Sequence, residues 1–370
     1  MDRPQSDRVT TLPTRPRAHP PELTADSLAH LFGIADLPAR LDAVDERITT
    51  ALGHDGALLG PAATRVAASG GKRLRPLLTI VAAATGEVFD DRVIDAAAAV
   101  ELVQVGSLVQ DDILDDAATR RGRPTINAVE GVNHAVLAGD YILARAAALA
   151  ARVSQEAAGL IAGALGDLCE GQVLEMRDVY DPARSVDAHL ASVRGKTAAL
   201  FECACRLGAL CANLGAENTH ALARYGDAFG MGFQVLDDIL DLIGDEDRLG
   251  KPTGNDIASG VYTLPVLAAL RGPDGDELRR ALGAHGGAPA PDGGGGDVDR
   301  AMDLVRRSGT IAEALTAADR YADDARRSVA HLNQTTVGEG LGQFPRTYAT
   351  WAFANLMDQR YLEVPLTALG

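Results

Sequence analysis

The pentapeptide DDILD occurs twice, beginning at Asp111 and at Asp237, and it is the clearest candidate for metal chemistry in this sequence. Both copies lie in apolar runs with the composition of a helix. On a helix, residues four apart share a face, so Asp111 is expected beside Asp115. The same spacing pairs Asp112 with Asp116. Like charges so placed repel one another, whereas Mg²⁺ binds through carboxylate, phosphate and water oxygens. A solvated helix end explains one copy equally well, but two copies favour a metal site. The carboxylates of this possible site are Asp111, Asp112, Asp115 and Asp116 in the first copy and Asp237, Asp238 and Asp241 in the second.

Basic segments accompany both aspartate clusters. RRGRP (120–124) follows the first cluster and GDEDRLGKPTGND (244–256) follows the second. Upstream, SGGKRLRP (69–76) offers free backbone N–H groups and positive charge at a helix start, without the GxxxxGK[ST] spacing of a nucleotide P-loop. RGKTAALFE (194–202) places a lysine and a threonine at a possible helix N-terminus. Alone, each segment is an ordinary basic helix start. Together, carboxylates for a metal and cations for phosphate indicate a diphosphate substrate.

The overall composition argues against several classes of partner. A net charge of −16 repels nucleic acid and anionic membranes, so neither is expected as a general partner. The four cysteines lack CxxC spacing and are expected to be buried, reduced thiols. The N-terminus lacks the apolar segment of a signal peptide, and no uncharged apolar run reaches about 18 residues. We therefore expect a cytoplasmic protein without stable membrane insertion.

Alanine and leucine dominate the sequence and aromatic residues make up only 4%, which favours an all-α fold. A proline-rich, flexible tail is predicted over 1–25, followed by one helical domain over 26–370. The glycine-rich segment 283–297 is predicted to be a mobile surface loop of that domain. No strand is predicted. Helices are predicted over 35–53, 57–69, 74–85, 91–116, 126–149, 153–178, 186–213, 217–243, 260–271, 298–305, 309–332 and 343–358.

Four motifs together resemble the trans-polyprenyl diphosphate synthases. They are GGKRLRP (70–76), LVQDDILDDAATRRGRPT (108–125), GKTAALFE (195–202) and FQVLDDILDLIGDEDRLGKPTGNDIASGVYTLP (233–265). Their order and spacing agree with that family, and the similarity extends from about residue 30 almost to the C-terminus. The resemblance implies a helical bundle of the isoprenoid synthase type around a deep central cavity. It also implies two aspartate motifs that face each other across the cavity mouth, and usually a homodimer.

The resemblance also implies a role for each motif residue. A cluster of three Mg²⁺ ions on an allylic prenyl diphosphate would be held by the metal ligands that the resemblance implies, which are Asp111, Asp112, Asp115, Asp237, Asp238 and Asp241. The residues implied to contact that diphosphate are Arg120, Lys196, Thr197, Gln234 and Lys251. The residues implied to hold isopentenyl diphosphate are Lys72, Arg75, Gln104 and Arg121. Those most directly implied in catalysis are Asp111, Asp112, Asp115, Lys196, Asp237, Asp238 and Lys251. Gln104 and Gln110 replace frequent histidines, and glutamine cannot carry the positive charge of histidine.

The implied reaction is ionisation, condensation and elimination. Cations neutralise the charge that develops on the departing pyrophosphate, and the double bond of isopentenyl diphosphate attacks the allylic cation. The family suggests the released pyrophosphate as the base, so no histidine or glutamate is assigned that role. His134 is accordingly expected to be a structural helix residue, and Glu170 and Glu175 are expected to be hydrogen-bonded structural or solvated carboxylates.

Product length depends on what closes the tunnel that receives the growing chain. Gly106 and Ser107 lie five and four residues before Asp111, where short-chain relatives often carry a bulky aromatic residue. Their small size predicts an open tunnel and a medium- or long-chain product. A side chain of the 126–149 helix could instead close the tunnel at a deeper point, and geranylgeranyl diphosphate (C20) is the alternative product.

Two other functions fit parts of the pattern. A class I terpene cyclase would ionise one prenyl diphosphate at a similar site, but it would leave the GGKR segment and the second arginine of the 120–121 pair unused. Such a cavity would also be expected to contain more aromatic residues. A non-catalytic subunit of a heteromeric synthase usually lacks one aspartate motif, whereas both motifs are complete here.

Overall fold

The protein is all-α, as predicted, in a computed structural model that describes residues 23–53, 58–249, 252–283 and 296–361. The helices of the N-terminal half are α1 (Ala25–Phe32), α2 (Leu37–Leu52), α3 (Gly60–Ala67), α4 (Leu74–Ala83), α5 (Asp91–Leu114), α6 (Ile126–Glu130), α7 (Val132–Val153), α8 (Gln155–Arg177) and α9 (Val186–Val193). Those that follow are α10 (Ala199–Cys211), α11 (Ala216–Ile243), α12 (Glu246–Leu249), α13 (Asn255–Ala258), α14 (Leu264–Ala269), α15 (Gly275–Leu282), α16 (Val298–Arg307), α17 (Thr310–Ser328) and α18 (Thr336–Leu356).

Helix α5 runs through the centre of the bundle. It begins at Asp91, where the side chain of Asp90 accepts a hydrogen bond from the Arg92 backbone N–H and so caps the helix. Helices α2, α4, α7 and α10 pack around it. Within the described residues, α5 is the one helix long and apolar enough to cross a bilayer, but 83% of its apolar window is buried in the fold. Its apolar character is therefore explained by its position in the core.

The two aspartate motifs lie near the C-terminal ends of two different helices. The first motif occupies the last turn of α5 and the second lies near the end of α11. Helix α10 packs against both α5 and α11, and also against α4, which follows the GGKR segment. Helix α18 packs against α11 through a buried aromatic cluster in which the Phe229 and Phe344 rings stack 5.3 Å apart. These contacts bring all four motifs to one region of the bundle.

Several predicted element boundaries were wrong. Helix α1 was missed, although Thr24 and Ser27 form a reciprocal N-terminal cap there. The predicted 91–116 helix ends at Leu114, and the predicted 186–213 helix is interrupted by a π-helical turn at Arg194–Ala198. The structure also contains a short antiparallel hairpin, β1 (Thr119–Arg120) with β2 (Arg123–Pro124). Strands of two residues are too short to show an alternating pattern.

The remaining predictions concern the N-terminal tail, the glycine-rich loop and the cysteines. Residues 1–22 and 284–295 lie outside the described part of the chain, so the predicted tail and glycine-rich loop stay predictions. All four cysteines are free thiols. Cys203, Cys205 and Cys211 are buried as expected, whereas the prediction was wrong for Cys169, which is exposed on α8.

Candidate active site

The first aspartate motif straddles the end of α5. Asp111 is half-buried and Asp112 is buried, while Asp115 is the exposed C-cap residue. Asp116 lies beyond the helix with φ +48°, so the predicted helical pairing of Asp112 with Asp116 was wrong. Burial raises the pKa of Asp111, and the charges of Lys196 and Arg120 oppose that shift. Asp111 therefore lies among the cations predicted to contact an allylic diphosphate.

Arg120 fixes the second carboxylate of this motif. The arginine Nε donates a hydrogen bond to Asp112 Oδ1 over 2.6 Å. Burial raises the pKa of Asp112, and the hydrogen bond from Arg120 opposes the rise. The hairpin that carries Arg120 turns the chain back toward α5, so the arginine reaches a carboxylate eight residues earlier in sequence.

In the second motif the first aspartate is again half-buried and the second is buried, but the third is buried as well. Asp237 is half-buried, whereas Asp238 is 2% exposed and Asp241 is 1% exposed. Asp238 Oδ1 accepts a hydrogen bond from Gln234 Nε2 over 2.9 Å, one helical turn earlier. Asp241 Oδ2 accepts one from the backbone N–H of Asp256 over 3.1 Å. In both motifs the second aspartate is thus turned into the protein and held by a neighbouring donor.

The π-helical turn presents Lys196 to the first motif. Lys196 Nζ pairs with Glu175 Oε1 over 2.7 Å. Burial lowers the pKa of Lys196, but the nearby carboxylates of Glu175 and Asp111 outweigh it, so the pKa is raised overall. The next residue, Thr197, donates from Oγ1 to Gln234 Oε1 over 2.8 Å. The expectation that these two residues begin a helix was wrong, because α9 runs through the π-turn into α10.

Close glycine contact explains how Lys196 is placed. A Cβ atom on Gly171 of α8 would lie 2.2 Å from the Lys196 backbone nitrogen and 2.9 Å from Gly195 Cα. Only glycine lets α8 come so close to the π-turn. This approach brings Glu175, one turn further along α8, within reach of the lysine.

A second group of cations follows the two glycines of the GGKR segment. Gly71 has φ +153°, and a Cβ atom there would lie 3.2 Å from Arg121 Nη1. Burial lowers the pKa of Lys72; Asp237 opposes that shift and Arg121 adds to it. Lys72 therefore lies near both the second aspartate motif and the hairpin arginine. Three predicted site residues from distant parts of the sequence meet here.

Arg73 and Arg75 anchor the beginning of α4. Arg73 adopts a left-handed conformation with φ +48° and donates from Nη1 to Glu101 Oε1 over 2.8 Å. The Arg75 guanidinium lies 4.3 Å from the centre of the Phe201 ring. Burial lowers the pKa of Arg75 to about 10, against the opposing charge of Glu101. The buried Glu101 thus pairs with Arg73 and attracts Arg75 near Lys72.

The remaining predicted residues lie along α5 or outside the described chain. The Ser107 hydroxyl donates to the Gln104 carbonyl over 2.9 Å, and Gln104 is half-buried. A Cβ atom on Gly106 would lie 2.8 Å from Leu143 Cδ2 of α7. Lys251 lies outside the described residues.

The carboxylates suit a metal that takes part of its ligands from the substrate. Across the described ranges, no three His, Cys, Asp or Glu side chains are clustered closely enough to hold a metal ion by themselves. Mg²⁺ commonly binds through one or two carboxylates together with substrate phosphates and water. Asp111, Asp115 and Asp237, with Lys196, Arg120 and Lys72 nearby, are suited to that mode of binding.

The family model of the polyprenyl synthetases matches residues 57–290. The chain belongs to the polyprenyl synthetase family. It is therefore a prenyltransferase, a polyprenyl diphosphate synthase. The resemblance inferred from the four motifs is confirmed.

The synthase is similar to curated relatives over most of its length. It is 36% identical over 286 residues to heptaprenyl diphosphate synthase component 2 of Geobacillus stearothermophilus, covering 77% of this chain and 87% of the relative. It is 39% identical over 267 residues to nonaprenyl diphosphate synthase of Mycobacterium tuberculosis, covering 71% and 78%.

A solved structure supports the fold. The polyprenyl synthase of Caulobacter crescentus CB15, complexed with calcium and isoprenyl diphosphate, superimposes with a TM-score of 0.79 at 33% identity. The similarity covers 89% of this chain and 98% of that one.

Several residues around the candidate site were not predicted as members of it. Glu175, expected to be a hydrogen-bonded structural or a solvated carboxylate, is hydrogen-bonded to Lys196. Glu101 was visible as a lone charge in an apolar run, which was an available signal for a buried ion pair. Tyr348 and Trp351 of α18 lie against Lys72, and no local motif marked them. His134 pairs with Glu130 one turn earlier, which agrees with the structural role expected of it.

Proposed function

We propose that the synthase condenses isopentenyl diphosphate with an allylic prenyl diphosphate in a Mg²⁺-dependent reaction that yields a medium- or long-chain polyprenyl diphosphate. The observation that carries this proposal is the division of the cations into two groups. Arg120 and Lys196 lie beside Asp111 of the first aspartate motif, whereas Lys72 lies near both Arg121 and Asp237. Two diphosphate-binding groups suit two diphosphate substrates, which disfavours a cyclase that uses one.

In the proposed mechanism, Mg²⁺ would be held beside the allylic diphosphate by Asp111, Asp115 and Asp237, with Asp112, Asp238 and Asp241 as the remaining predicted ligands. A cluster of three ions would neutralise negative charge on the pyrophosphate as its bond to the allylic carbon breaks. Lys196 exchanges Glu175 for a phosphate oxygen, and Thr197 and Gln234 orient the same group. Lys251 is proposed as a further contact to it.

The second substrate occupies the other group of cations. Lys72, Arg75 and Arg121 bind the diphosphate of isopentenyl diphosphate, and Gln104 donates through its amide. This holds the double bond of isopentenyl diphosphate close to the allylic cation, so that carbon–carbon bond formation becomes effectively unimolecular. Loss of a proton to the departing pyrophosphate completes the step.

The names of the relatives support a long product without fixing its length. Heptaprenyl, nonaprenyl and octaprenyl diphosphate synthases are all similar to this chain, but so is a geranylgeranyl diphosphate synthase of Mycobacterium tuberculosis at 38% identity. A C20 product is therefore the second candidate. The small Gly106 favours the longer products, whereas Leu143 beside it would shorten them.

The proposed assembly is a homodimer in the cytoplasm. Leu137 of α7 is 57% exposed, and on α8 Val173 is 64% and Met176 is 51% exposed. An apolar helix face left open to water on two adjacent helices favours burial against a second copy. A heteromer is the alternative, because one relative is named as component 2 of a heptaprenyl diphosphate synthase.

One assay tests these proposals together. The purified chain is incubated with Mg²⁺, isopentenyl diphosphate and each allylic primer from C5 to C20, and the products are identified by mass. We expect prenyl transfer by the chain alone, abolished by a chelator and restored by Mg²⁺. Conversion of an allylic substrate without incorporation of isopentenyl diphosphate would favour the cyclase, and inactivity of the chain alone would favour a heteromer.

A further inference from the structure

We infer that Tyr348 and Trp351 of α18 form part of the isopentenyl diphosphate site by holding the ammonium group of Lys72 in position. The inference rests on the proposed function, because it takes Lys72 as a ligand of that diphosphate. It adds a helix near the C-terminal end of the described chain to a site otherwise built from α4, α5 and the hairpin.

The contacts involve one ammonium group and two rings. Lys72 Nζ lies 4.4 Å from the centre of the Trp351 ring and 5.4 Å from the centre of the Tyr348 ring. It also lies 3.4 Å from the Tyr348 hydroxyl oxygen, to which it donates a hydrogen bond. Tyr348 and Trp351 are three residues apart on α18 and so share one face of the helix. Both rings therefore meet the cation from the same side, within the range of cation–π attraction.

The two rings are held rigidly. Tyr348 is 4% exposed and packs among Phe229, Phe233 and Phe344, with the centre of the Phe233 ring 5.5 Å away. Trp351 is half-buried and its ring centre lies 5.9 Å from that of Tyr348. A flexible lysine placed against rings that cannot move loses part of its conformational freedom before any ligand arrives.

The rings also influence whether Lys72 pairs with Asp237 or with a phosphate of the substrate. Asp237 of the second aspartate motif attracts the same ammonium group. A lysine drawn fully onto Asp237 would cancel a carboxylate needed for metal and would itself be withdrawn from phosphate. Because cation–π attraction is not lost when one side of the ammonium meets a phosphate, the rings hold Lys72 while leaving its other N–H bonds available. This arrangement lowers the reorganisation needed to bind isopentenyl diphosphate.

Kinetics with two substrates give the first test. We expect Trp351→Leu to raise the KM for isopentenyl diphosphate about threefold to tenfold, the size of effect that loss of one cation–π contact gives. The KM for the allylic diphosphate should stay unchanged, and Trp351→Phe, which keeps a ring beside the lysine, should recover most of the loss. Equal changes in both KM values, or no change in either, would overturn the inference.

Trp351 is the only tryptophan in the chain, so its fluorescence gives a second test that needs no altered ring. Titration of the wild-type protein with isopentenyl diphosphate in the presence of Mg²⁺ should change the emission in a saturable way. Lys72→Met should remove that response, with thermal unfolding recorded to show that the variant is folded. An emission that does not respond at concentrations that saturate turnover would contradict the inference. Absence of prenyl transfer by the wild-type chain with every primer would instead overturn the proposed function.

Discussion

At the scale of single residues, the two DDILD copies share more than their sequence. The first aspartate of each copy is half-buried at the site, whereas the second is buried and accepts a hydrogen bond from Arg120 or Gln234. A buried carboxylate needs such a donor, because an unpaired charge inside the protein is costly. The repeated pentapeptide therefore supplies one carboxylate that we propose binds metal and one that a neighbouring donor holds inside the protein.

This difference predicts unequal effects of neutralising the two aspartates of the second copy. Asp237→Asn should lower kcat about 100-fold or more and raise the Mg²⁺ concentration needed for half-maximal rate, since it removes charge that faces the leaving group. Asp238→Asn should shift the Mg²⁺ requirement less and lower the thermal unfolding midpoint more. Titration of activity with Mg²⁺, together with thermal melts of both variants, measures the difference. Identical Mg²⁺ curves for the two variants would show that both carboxylates bind metal directly.

Glu175 predicts an effect restricted to the allylic substrate. The glutamate competes with phosphate for Lys196, so Glu175→Gln should lower the KM for the allylic diphosphate by about twofold to fivefold, as expected for a partly exposed ion pair. The KM for isopentenyl diphosphate should not change. Glu170→Gln, at an exposed position of the same helix, is the matched control. A higher allylic KM in the Glu175 variant would mean that Glu175 supports the active position of the lysine.

At the scale of helices, the contact between α5 and α7 is expected to influence product length. A side chain on Gly106 would meet Leu143, so Gly106→Phe should both narrow the tunnel and push Leu143 aside. We expect shorter products from Gly106→Phe and longer ones from Leu143→Ala, measured by chromatography after dephosphorylation. The double variant Gly106→Phe with Leu143→Ala separates narrowing of the tunnel from crowding between α5 and α7. An unchanged length distribution in all three proteins would place the tunnel elsewhere.

Helix packing also predicts where glycine is required. A Cβ atom on Gly208 of α10 would lie 2.3 Å from the Thr79 carbonyl oxygen of α4. Gly208→Ala should therefore lower the free energy of unfolding by about 1–3 kcal/mol through overpacking. Gly342→Ala in α18, where the nearest atom would lie at an ordinary 3.4 Å, should raise it by about 0.5–1 kcal/mol. Chemical denaturation measures both, and a stable Gly208 variant would show that α4 and α10 can separate without cost.

At the scale of the whole molecule, α7 carries apolar side chains on its solvent-facing side as well as on its buried side. Ile142 and Leu149 are buried against the bundle, while Val136, Leu137 and several alanines of the same helix face solvent beside polar residues such as Asp140. Adjacent exposed apolar side chains favour contact with another protein surface. This pattern is the structural support for the proposed dimer.

The dimer is tested by placing charge on that exposed face. Leu137→Asp should convert the sedimenting species from dimer to monomer at micromolar protein, since an unpaired buried carboxylate is strongly unfavourable at an apolar interface. Val88→Asp, at an exposed apolar residue between α4 and α5, is the control and should not affect assembly. A wild-type protein that sediments as a monomer would contradict the proposed homodimer.

The sequence by itself determined the helical fold class, the four motifs, the two classes of charged group and the family. These features can be read from the spacing of residues within a segment and from the order of the motifs. Helix periodicity places residues four apart on one face, and the order of the motifs identifies the family. Sequence did not reveal the π-turn at Lys196 or the early end of α5. The first depends on how closely α8 approaches the turn, and the second depends on how the hairpin packs against the end of α5.

The tertiary structure alone decided which charges are partnered. Lys72 meets Tyr348 across 276 residues of sequence, and Lys196 meets Glu175 across 21. No local periodicity encodes such contacts, since they arise only when separate helices bury their apolar faces together and bring polar side chains into reach. The same packing gave two identical pentapeptides different burial, since Asp115 is exposed in the first motif whereas Asp241 is buried in the second, and the repeated sequence could not distinguish them.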